Sequence, residues 1–245
     1  MKYLRGPPWA SIRAATHNIR AGLIAILIAV SPSALGAAPA PPWRDTAITR
    51  LEALALIQTL NAELLASTSA TRTLERWCQI HALAEPAQVV ARRIDGTETT
   101  ASDTLRQDLQ VSAEEPLQYR RVELRCGEHV LSIADNWYVP ARLTPEMNRS
   151  LTTTQTPFGK VVQPLSPHRE TLAVKLLWSP LPDGWERAAV RNAGKSSVSH
   201  DLEVPAALFE HRALLYASTH QPIAEVHEIY QRDVLAFPEP QLPAR

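Results

Sequence analysis

Glycine is scarce in this chain, with 8 glycines among 245 residues against 20 prolines. Loops that cradle phosphates depend on glycine, because a residue without a Cβ lets the backbone approach a phosphate closely. Neither GxGxxG nor GxxxxGK[ST] occurs in the sequence. The sequence therefore argues against a nucleotide-binding fold of the Rossmann or P-loop kind.

An excess of either charge is also missing, since 25 Lys and Arg residues balance 25 Asp and Glu residues. No overall field draws such a protein toward nucleic acid or anionic lipid, and we expect neither as a partner. The eight histidines form no HExxH pair, and GxSxG and CxxC are absent. The sequence thus contains no zinc-binding or serine-hydrolase signature, and we expect no metal site.

Cysteine is limited to Cys78 and Cys126. In an oxidising compartment a lone pair of this kind can close one disulfide, and in a reducing one it remains two buried thiols. Bridging requires Cα atoms within about 7 Å of each other, which the sequence does not reveal. Both states stay open at this point.

The N-terminal segment has the order of an export signal. Four basic residues precede an uncharged apolar run at 21–30, and small residues follow up to Ala40. Ten apolar residues are too few to span a bilayer, which needs about 20, so cleavage is favoured over a permanent anchor. We predict that residues 1–38 are a signal peptide and that the mature protein is periplasmic or secreted, without a stable membrane anchor.

Two helices are predicted at the start of the mature chain. Asp45 can cap the first, and Ser67, Thr68 and Ser69 precede the second, which runs from about residue 71 to 83 with Leu74, Trp77 and Cys78 facing the core. The first helix is predicted to turn one apolar face inward, formed by Ile48, Leu51, Leu54, Ile57, Leu60 and Leu64.

From residue 87 onward the pattern is typical of short strands. The candidates are residues 88–94, 118–125, 129–133, 137–139, 171–178, 208–216 and 222–230. Two helices followed by many strands predict an α+β fold, an antiparallel β-sheet with the N-terminal helices packed on one face. We expect one domain at residues 44–236 with a surface insertion at 179–205, and a disordered tail at 237–245.

The last strand candidate contains the most informative acid. If the strand alternates, Glu228 shares a face with Ala224, Val226 and Tyr230. Desolvation would raise the pKa of a carboxyl among such neighbours, and a partly protonated carboxyl can act as a catalytic acid. The alternative is a structural ion pair between Glu228 and an arginine.

A pair of arginines in the strand at 118–125 offers a carboxylate-binding group. Alternation places Arg120 on the same face as Val122 and Leu124, so Arg120 is the inward candidate. A buried guanidinium requires an anionic partner or a bound carboxylate. The alternative is an exposed pair on an edge strand. Farther along, Pro157 and Gly159 predict a tight turn.

Taken in order, several segments resemble the chorismate pyruvate-lyase family and the related UTRA-type ligand-binding domains of some transcription regulators. The resemblance spans roughly residues 62–235. The segments are SATRTLE (69–75), RRVELRC with YVP (120–140), TPFG (156–159), HRALL (211–215) and QPIAEVHEIY (221–230).

The resemblance implies a site for an aromatic carboxylate. An arginine matching Arg120 or Arg121 and the backbone N–H of Ala70 would hold the carboxylate, while Phe158 and Glu228 would meet the opposite end. A gap-free match favours Arg121, with Glu228 as the catalytic acid, whereas alternation favours Arg120.

Further site residues follow from the same resemblance. Gly159 in TPFG and Arg212 in HRALL are included as substrate-binding positions. The match of Glu228 needs a one-residue shift after Pro222, so Glu225 is the fallback.

The reaction that the resemblance implies is elimination of pyruvate from chorismate, or from a similar enolpyruvyl cyclohexadiene carboxylate, to give a hydroxybenzoate without metal or organic cofactor. The alternative is an exported, non-catalytic binding protein for a small aromatic carboxylate on the same fold. We expect a monomer in either case. A third hypothesis is an envelope-associated protein that binds a partner, which a large exposed apolar patch would support.

Overall fold

The computed structural model of the protein describes residues 43–96, 99–187 and 200–240. The predicted signal peptide, the middle of the predicted insertion at 188–199 and the end of the predicted tail at 241–245 lie outside the described residues. No helix among the described residues is long and apolar enough to cross a membrane.

The described chain contains helices early and in the middle, and strands from residue 89 onward. The helices are α1 (Ala47–Ala66), α2 (Ala70–Ile80), α3 (Asp103–Asp108), α4 (Pro145–Thr153) and α5 (Phe158–Val161). The strands are β1 (Val89–Arg93), β2 (Gln118–Cys126), β3 (His129–Tyr138), β4 (His168–Leu176), β5 (Ala207–Tyr216) and β6 (Pro222–Gln231).

The six strands form one antiparallel sheet in the order β1-β2-β3-β6-β5-β4. Helices α1 and α2 share a hydrophobic core with one face of the sheet, and α4 and α5 share a second core with the same face. Helix α3 packs on the opposite face, where Leu105 and Leu109 meet Val139 and Leu214. The predicted α+β class, with an antiparallel sheet and N-terminal helices on one face, is confirmed.

Hydroxyl side chains set where the helices begin. Thr46, Ser69, Ser102 and Thr144 each accept a hydrogen bond from the backbone N–H three residues later, which satisfies one of the free N–H groups of the first turn. The predicted cap of α1, Asp45, instead accepts two hydrogen bonds from the Arg50 guanidinium. The short helices α3 and α4 were not predicted from the sequence, because a single capping hydroxyl is their main local signal.

Helix α1 turns only part of the predicted apolar face inward. Ile57, Leu60 and Leu64 are buried as expected, but Ile48 is 63% exposed and Leu51 is 42% exposed. Nine residues separate Ile48 from Ile57, which is two and a half turns of helix, so these two side chains lie on opposite sides. The sequence of α1 is apolar on both sides, and spacing alone did not show which side packs.

The strand predictions are close to the observed bounds, with one merger. The two candidates at 129–133 and 137–139 form the single strand β3. Asp135 and Asn136 interrupt the apolar pattern but are tolerated, because Asp135 accepts a hydrogen bond from Tyr119 and Asn136 faces a cavity.

A disulfide joins Cys78 of α2 to Cys126 at the end of β2, with the Cα atoms 6.5 Å apart. The bridge ties the helical layer to the sheet, and it resolves the choice that the sequence left open. Both cysteines are fully buried in the core beneath α1 and α2.

The first residues of the predicted disordered tail are ordered in the structure, which corrects that prediction. Phe237 is buried against Trp43 and His81, and the Trp43 indole N–H donates to the Phe237 carbonyl at 2.7 Å. The end of the predicted insertion is anchored too, since Leu202 is buried and its N–H donates to the Trp43 carbonyl. An apolar side chain in each segment provides enough burial to hold it, despite the prolines and polar residues around it.

Candidate functional site

A cavity of about 520 Å³ lies between the sheet and the first turns of α2 and α5. We call it the helix-side cavity. Its wall includes Ala70, Asn136, Phe158, Gly159, Arg169 and Glu228. A volume in this range suits a small organic ligand.

Strand alternation builds the floor of the helix-side cavity. Val122 of β2, Ala134 of β3 and Val226 of β6 point to this face, together with Glu228. Ala134 and Glu228 are direct cross-strand partners, so the carboxylate stands at the centre of the sheet rather than at an edge. The floor therefore combines apolar side chains with Asn136, Arg169 and Glu228.

Two helix starts form the roof. Ser69 caps α2 and accepts from the Arg72 N–H, and α5 begins at Phe158 directly after Pro157. Gly159 is helical and has no left-handed backbone angle, so the unusual turn geometry predicted for it is not found. A Cβ placed on Gly159 would lie 3.5 Å from the Thr71 hydroxyl oxygen, which shows how closely the two helix starts approach.

The acid in the floor is paired with an arginine that the sequence did not point to. Arg169 Nη2 lies 2.6 Å from Glu228 Oε2, and the side chains are only 6% and 8% exposed. Burial lowers the pKa of Arg169, but the Glu228 charge, the nearby Tyr230 and the hydrogen bond to Glu228 together outweigh burial and raise the pKa of Arg169. Tyr230 donates a second hydrogen bond to Glu228 at 3.1 Å. The ion pair that was the alternative interpretation of Glu228 is what the structure contains.

A histidine lies behind this pair. His211 is fully buried, its Nε2 lies 2.7 Å from Asn61 Oδ1, and its Nδ1 has no hydrogen-bond partner. Burial lowers the pKa of His211 to about 4, with Glu228 pulling it up and Arg169 pushing it down. His211 is the cross-strand partner of Glu228. Because burial lowers its pKa, His211 is neutral at pH 7.

Arg120 is the other buried cation of this face, at 2% exposure. Its Nη2 donates to the Thr156 carbonyl at 3.3 Å, while Nε and Nη1 have no hydrogen-bond partner. Burial, with help from the nearby Arg93 charge, lowers the pKa of Arg120 to about 10. Arg120 lies beside the cavity, since its cross-strand partner Asn136 is part of the wall.

The structure brings four of the predicted site residues to one cavity, namely Ala70, Phe158, Gly159 and Glu228. Arg120 adjoins them.

Arg121, which the gap-free match favoured, lies on the opposite face of the sheet and pairs with Asp135 at 3.4 Å. Arg212 lies on that face too and pairs with Glu225, the fallback acid, at 2.6 Å. The structure therefore does not bring Arg121 or Arg212 together with Glu228. The physical reason is alternation: moving one residue along a strand moves the side chain to the other face.

Arg169 is the site residue that sequence reasoning missed. The strand pattern began at residue 171, because His168, Arg169 and Glu170 are polar and do not look like a strand. A buried acid in the last strand was the available signal, since such an acid requires a buried cation somewhere in the fold. Among the described residues, no group of three or more His, Cys, Asp or Glu is placed to hold a metal ion.

No family model matches the chain. Several solved structures are similar over part of it: the effector domain of PhnF from Mycobacterium smegmatis (TM-score 0.41, 13% identity, 68% of this chain and 90% of that one) and the C-terminal domain of Yurk from Bacillus subtilis (TM-score 0.36, 16% identity, 57% and 88%). Likeness at this level does not bear on what the chain binds.

The uncharacterized protein y4mC of Sinorhizobium fredii is 47% identical over 201 residues, which are 82% of this chain and 84% of that protein. The chain belongs to the same family as y4mC.

Proposed function

We propose that the helix-side cavity binds a small organic carboxylate, of about the size of a hydroxybenzoate, without converting it. One observation carries this proposal: two buried guanidinium groups, that of Arg169 in the cavity wall and that of Arg120 beside it, have N–H donors for which the described residues offer no acceptor, at Arg169 Nε and at Arg120 Nε and Nη1. A buried donor left without an acceptor costs about 1–3 kcal/mol. A bound carboxylate would supply the missing acceptors.

The two arginines approach from different sides. The backbones of β2 and β4 are four strand spacings apart in the sheet, or about 19 Å, but the Arg169 side chain reaches Glu228 of β6, which is two strand spacings from β2. Arg169 is already neutralised by Glu228, whereas Arg120 has no carboxylate partner. The ligand carboxylate therefore binds at the Arg120 end of the cavity, which it reaches when side chains next to Asn136 shift. The apolar body of the ligand then lies on Val122 and Phe158.

Binding is favoured over turnover because Glu228 is already engaged. Its Oε2 already accepts hydrogen bonds from Arg169 at 2.6 Å and from Tyr230 at 3.1 Å, and it would have to give these up to meet a substrate oxygen as a catalytic acid does. Lyase activity on chorismate is the second candidate, and the presence of Glu228 in the cavity wall is the observation in its favour.

The binding proposal is tested by titrating the purified protein with 4-hydroxybenzoate in a calorimeter. Arg120→Met keeps the length of the side chain and removes its charge, and we expect the affinity to fall about 10- to 100-fold, as for one charge-assisted hydrogen-bond pair. Arg121→Met is the matched control, one residue along the same strand on the opposite face, and should bind as the unsubstituted protein does. Absence of saturable binding, or binding indifferent to Arg120→Met, would contradict the proposal.

The lyase candidate is tested separately by incubating the protein with chorismate and following pyruvate and hydroxybenzoate. We expect no release above the uncatalysed rate. Turnover that collapses in Glu228→Gln would establish the lyase and overturn the non-catalytic part of the proposal.

We also propose that the protein acts outside the cytoplasm. The sequence order of the N-terminal segment and the Cys78–Cys126 disulfide support this, because disulfides persist mainly in oxidising compartments. Fractionation of a Gram-negative host that expresses the full chain should yield a periplasmic form shortened by about residues 1–38. Full-length protein confined to the cytoplasm, with both thiols open to alkylation, would refute it.

A further inference from the structure

A second cavity, of about 490 Å³, lies on the opposite face of the same sheet, beside α3. We call it the α3-side cavity. Its wall includes Tyr119, Arg121, Trp137, Arg212, Glu225 and His227. None of these residues contributes to the helix-side cavity, since consecutive residues of β2, β3 and β6 point to opposite faces.

The wall of the α3-side cavity contains two arginines and two carboxylates, and each arginine has a carboxylate partner. Arg121 lies 3.4 Å from Asp135, and Arg212 lies 2.6 Å from Glu225 and 3.8 Å from Asp108. The His227 ring lies 3.2 Å from Glu210, within hydrogen-bond distance. A ligand with a net charge would have to compete with one of these pairs. The wall is therefore suited to a neutral ligand that offers both donors and acceptors.

One buried acceptor in this wall is unsatisfied. Glu225 is only 6% exposed, and its Oε1 accepts both hydrogen bonds from Arg212. Its Oε2 has no hydrogen-bond partner. A buried carboxylate oxygen without a donor is costly, so this position calls for an O–H or N–H group. The Arg212 side chain, 42% exposed, is the group that can turn aside to admit one.

An aromatic pair lies beside these polar groups. The rings of Tyr119 and Trp137 are half-buried, with centroids 4.9 Å apart. Their faces offer apolar surface, while the hydroxyls of Thr100 and Ser102 line the same cavity. An apolar aromatic face next to planar polar side chains suits a ligand with C–H groups on its faces and hydroxyls around its edge.

We infer that the α3-side cavity binds a neutral, hydroxyl-rich ligand of the saccharide class. One hydroxyl donates to Glu225 Oε2, and the C–H face of the sugar ring lies on Trp137. Arg121 supplies a donor for a further hydroxyl while it keeps its contact with Asp135, and Arg212 turns toward Asp108 to admit the ligand. The site is independent of carboxylate binding in the helix-side cavity.

The inference is tested on the full chain by saturation-transfer NMR with a fixed panel of glucose, galactose, N-acetylglucosamine, cellobiose and, as a cationic probe, methyl-ammonium. We expect at least one sugar to bind saturably, and Glu225→Gln to weaken it at least about 10-fold, since one hydrogen bond to a charged group is lost. Glu146→Gln is the matched control, the same change at an exposed residue of α4 that lines neither cavity, and should leave sugar binding unchanged.

Trp137→Phe provides a second variant in case Glu225→Gln unfolds, and it should weaken the same sugar because it removes part of the aromatic face. Three results would overturn the inference: no sugar of the panel binds, sugar binding is indifferent to both Glu225→Gln and Trp137→Phe, or methyl-ammonium alone binds in a Glu225-dependent manner. None of these depends on whether 4-hydroxybenzoate binds on the other face.

Discussion

The two faces of the central strands carry cavities of similar size whose buried polar atoms lack opposite kinds of hydrogen-bond partner. On the helix-side face the buried atoms without partners include N–H donors of Arg120 and Arg169, and on the α3-side face the unsatisfied atom is an acceptor, Glu225 Oε2. Neighbouring residues of a single strand make the difference, as Glu225 and Glu228 show in β6. Residues 225–228 of the ten-residue strand β6 thus contribute to two separate cavities, because the polar residues of this stretch fall on both faces.

The two faces also differ in how deeply they bury charge. The Arg169–Glu228 pair is nearly inaccessible, whereas Arg212 and Arg121 are a third or more exposed. Ion pairs that keep contact with water contribute little to stability, while removing one partner of a buried pair is strongly destabilising. Substitutions of charged residues on the two faces should therefore differ in how much they change the free energy of unfolding.

Removing the cation of the buried pair should have the largest effect. Arg169→Met leaves Glu228 as a buried charge without its partner, and we expect the free energy of unfolding to fall by about 3–5 kcal/mol. Urea unfolding monitored by circular dichroism gives this value. The double variant Arg169→Met, Glu228→Met should recover most of the loss, and a double variant as unstable as the single one would contradict this account.

The buried histidine should make stability depend on pH. The pKa of His211 is lowered by burial to about 4 from an unfolded value of 6.5, so between these values only the unfolded chain binds the proton. Stability from this group is present above pH 6.5 and is lost as the pH falls toward 4, on the order of 3 kcal/mol in all. Unfolding free energies at pH 7 and pH 4.5 should therefore differ less in His211→Gln than in the unsubstituted protein.

His220 provides the control for that measurement, because it is exposed. His220→Gln should keep the full pH dependence between pH 7 and pH 4.5. Equal pH dependence in all three proteins would mean that the carboxylates alone produce it and that His211 is not the cause.

The fold was largely predictable from local patterns, and the reasons are physical. Alternation in β2, β5 and β6 reports burial on one face, and it placed Arg120 inward where the structure has it. The face predicted for helix α1 was correct at Ile57, Leu60 and Leu64 but too wide, because Ile48 and Leu51 extend the apolar spacing around the helix and only tertiary packing chooses between two apolar sides.

The site was predictable in part. Ala70, Phe158 and Glu228, which the resemblance assigns to one site, line one cavity in the structure, because helix starts and strand faces are local features. The partner of Glu228 was not predictable, since Arg169 comes 59 residues earlier in the chain and no local pattern joins them. Arg121 was favoured by counting matched residues, and counting does not report which face a side chain occupies.

Removing the unpaired cation should have a smaller effect, of the opposite sign. Arg120→Met takes away a buried charge that has no carboxylate partner, and we expect the free energy of unfolding to rise by about 1–2 kcal/mol. The same substitution should weaken 4-hydroxybenzoate binding, so stability and binding move in opposite directions. A loss of stability would show that Arg120 is held by structural contacts rather than kept for a ligand.

The smallest effect is expected for the partly exposed pair on the α3-side face. Arg121 is 32% exposed and Asp135 is 19% exposed, and Asp135 keeps the hydrogen bond from Tyr119 when the arginine is removed. Arg121→Met should therefore lower the free energy of unfolding by less than about 1 kcal/mol. Added salt should reduce the difference further, because screening acts on charges that water can reach. A loss as large as that of Arg169→Met would mean that the two faces bury charge equally, and the contrast between the two cavities would then rest on their unsatisfied atoms alone.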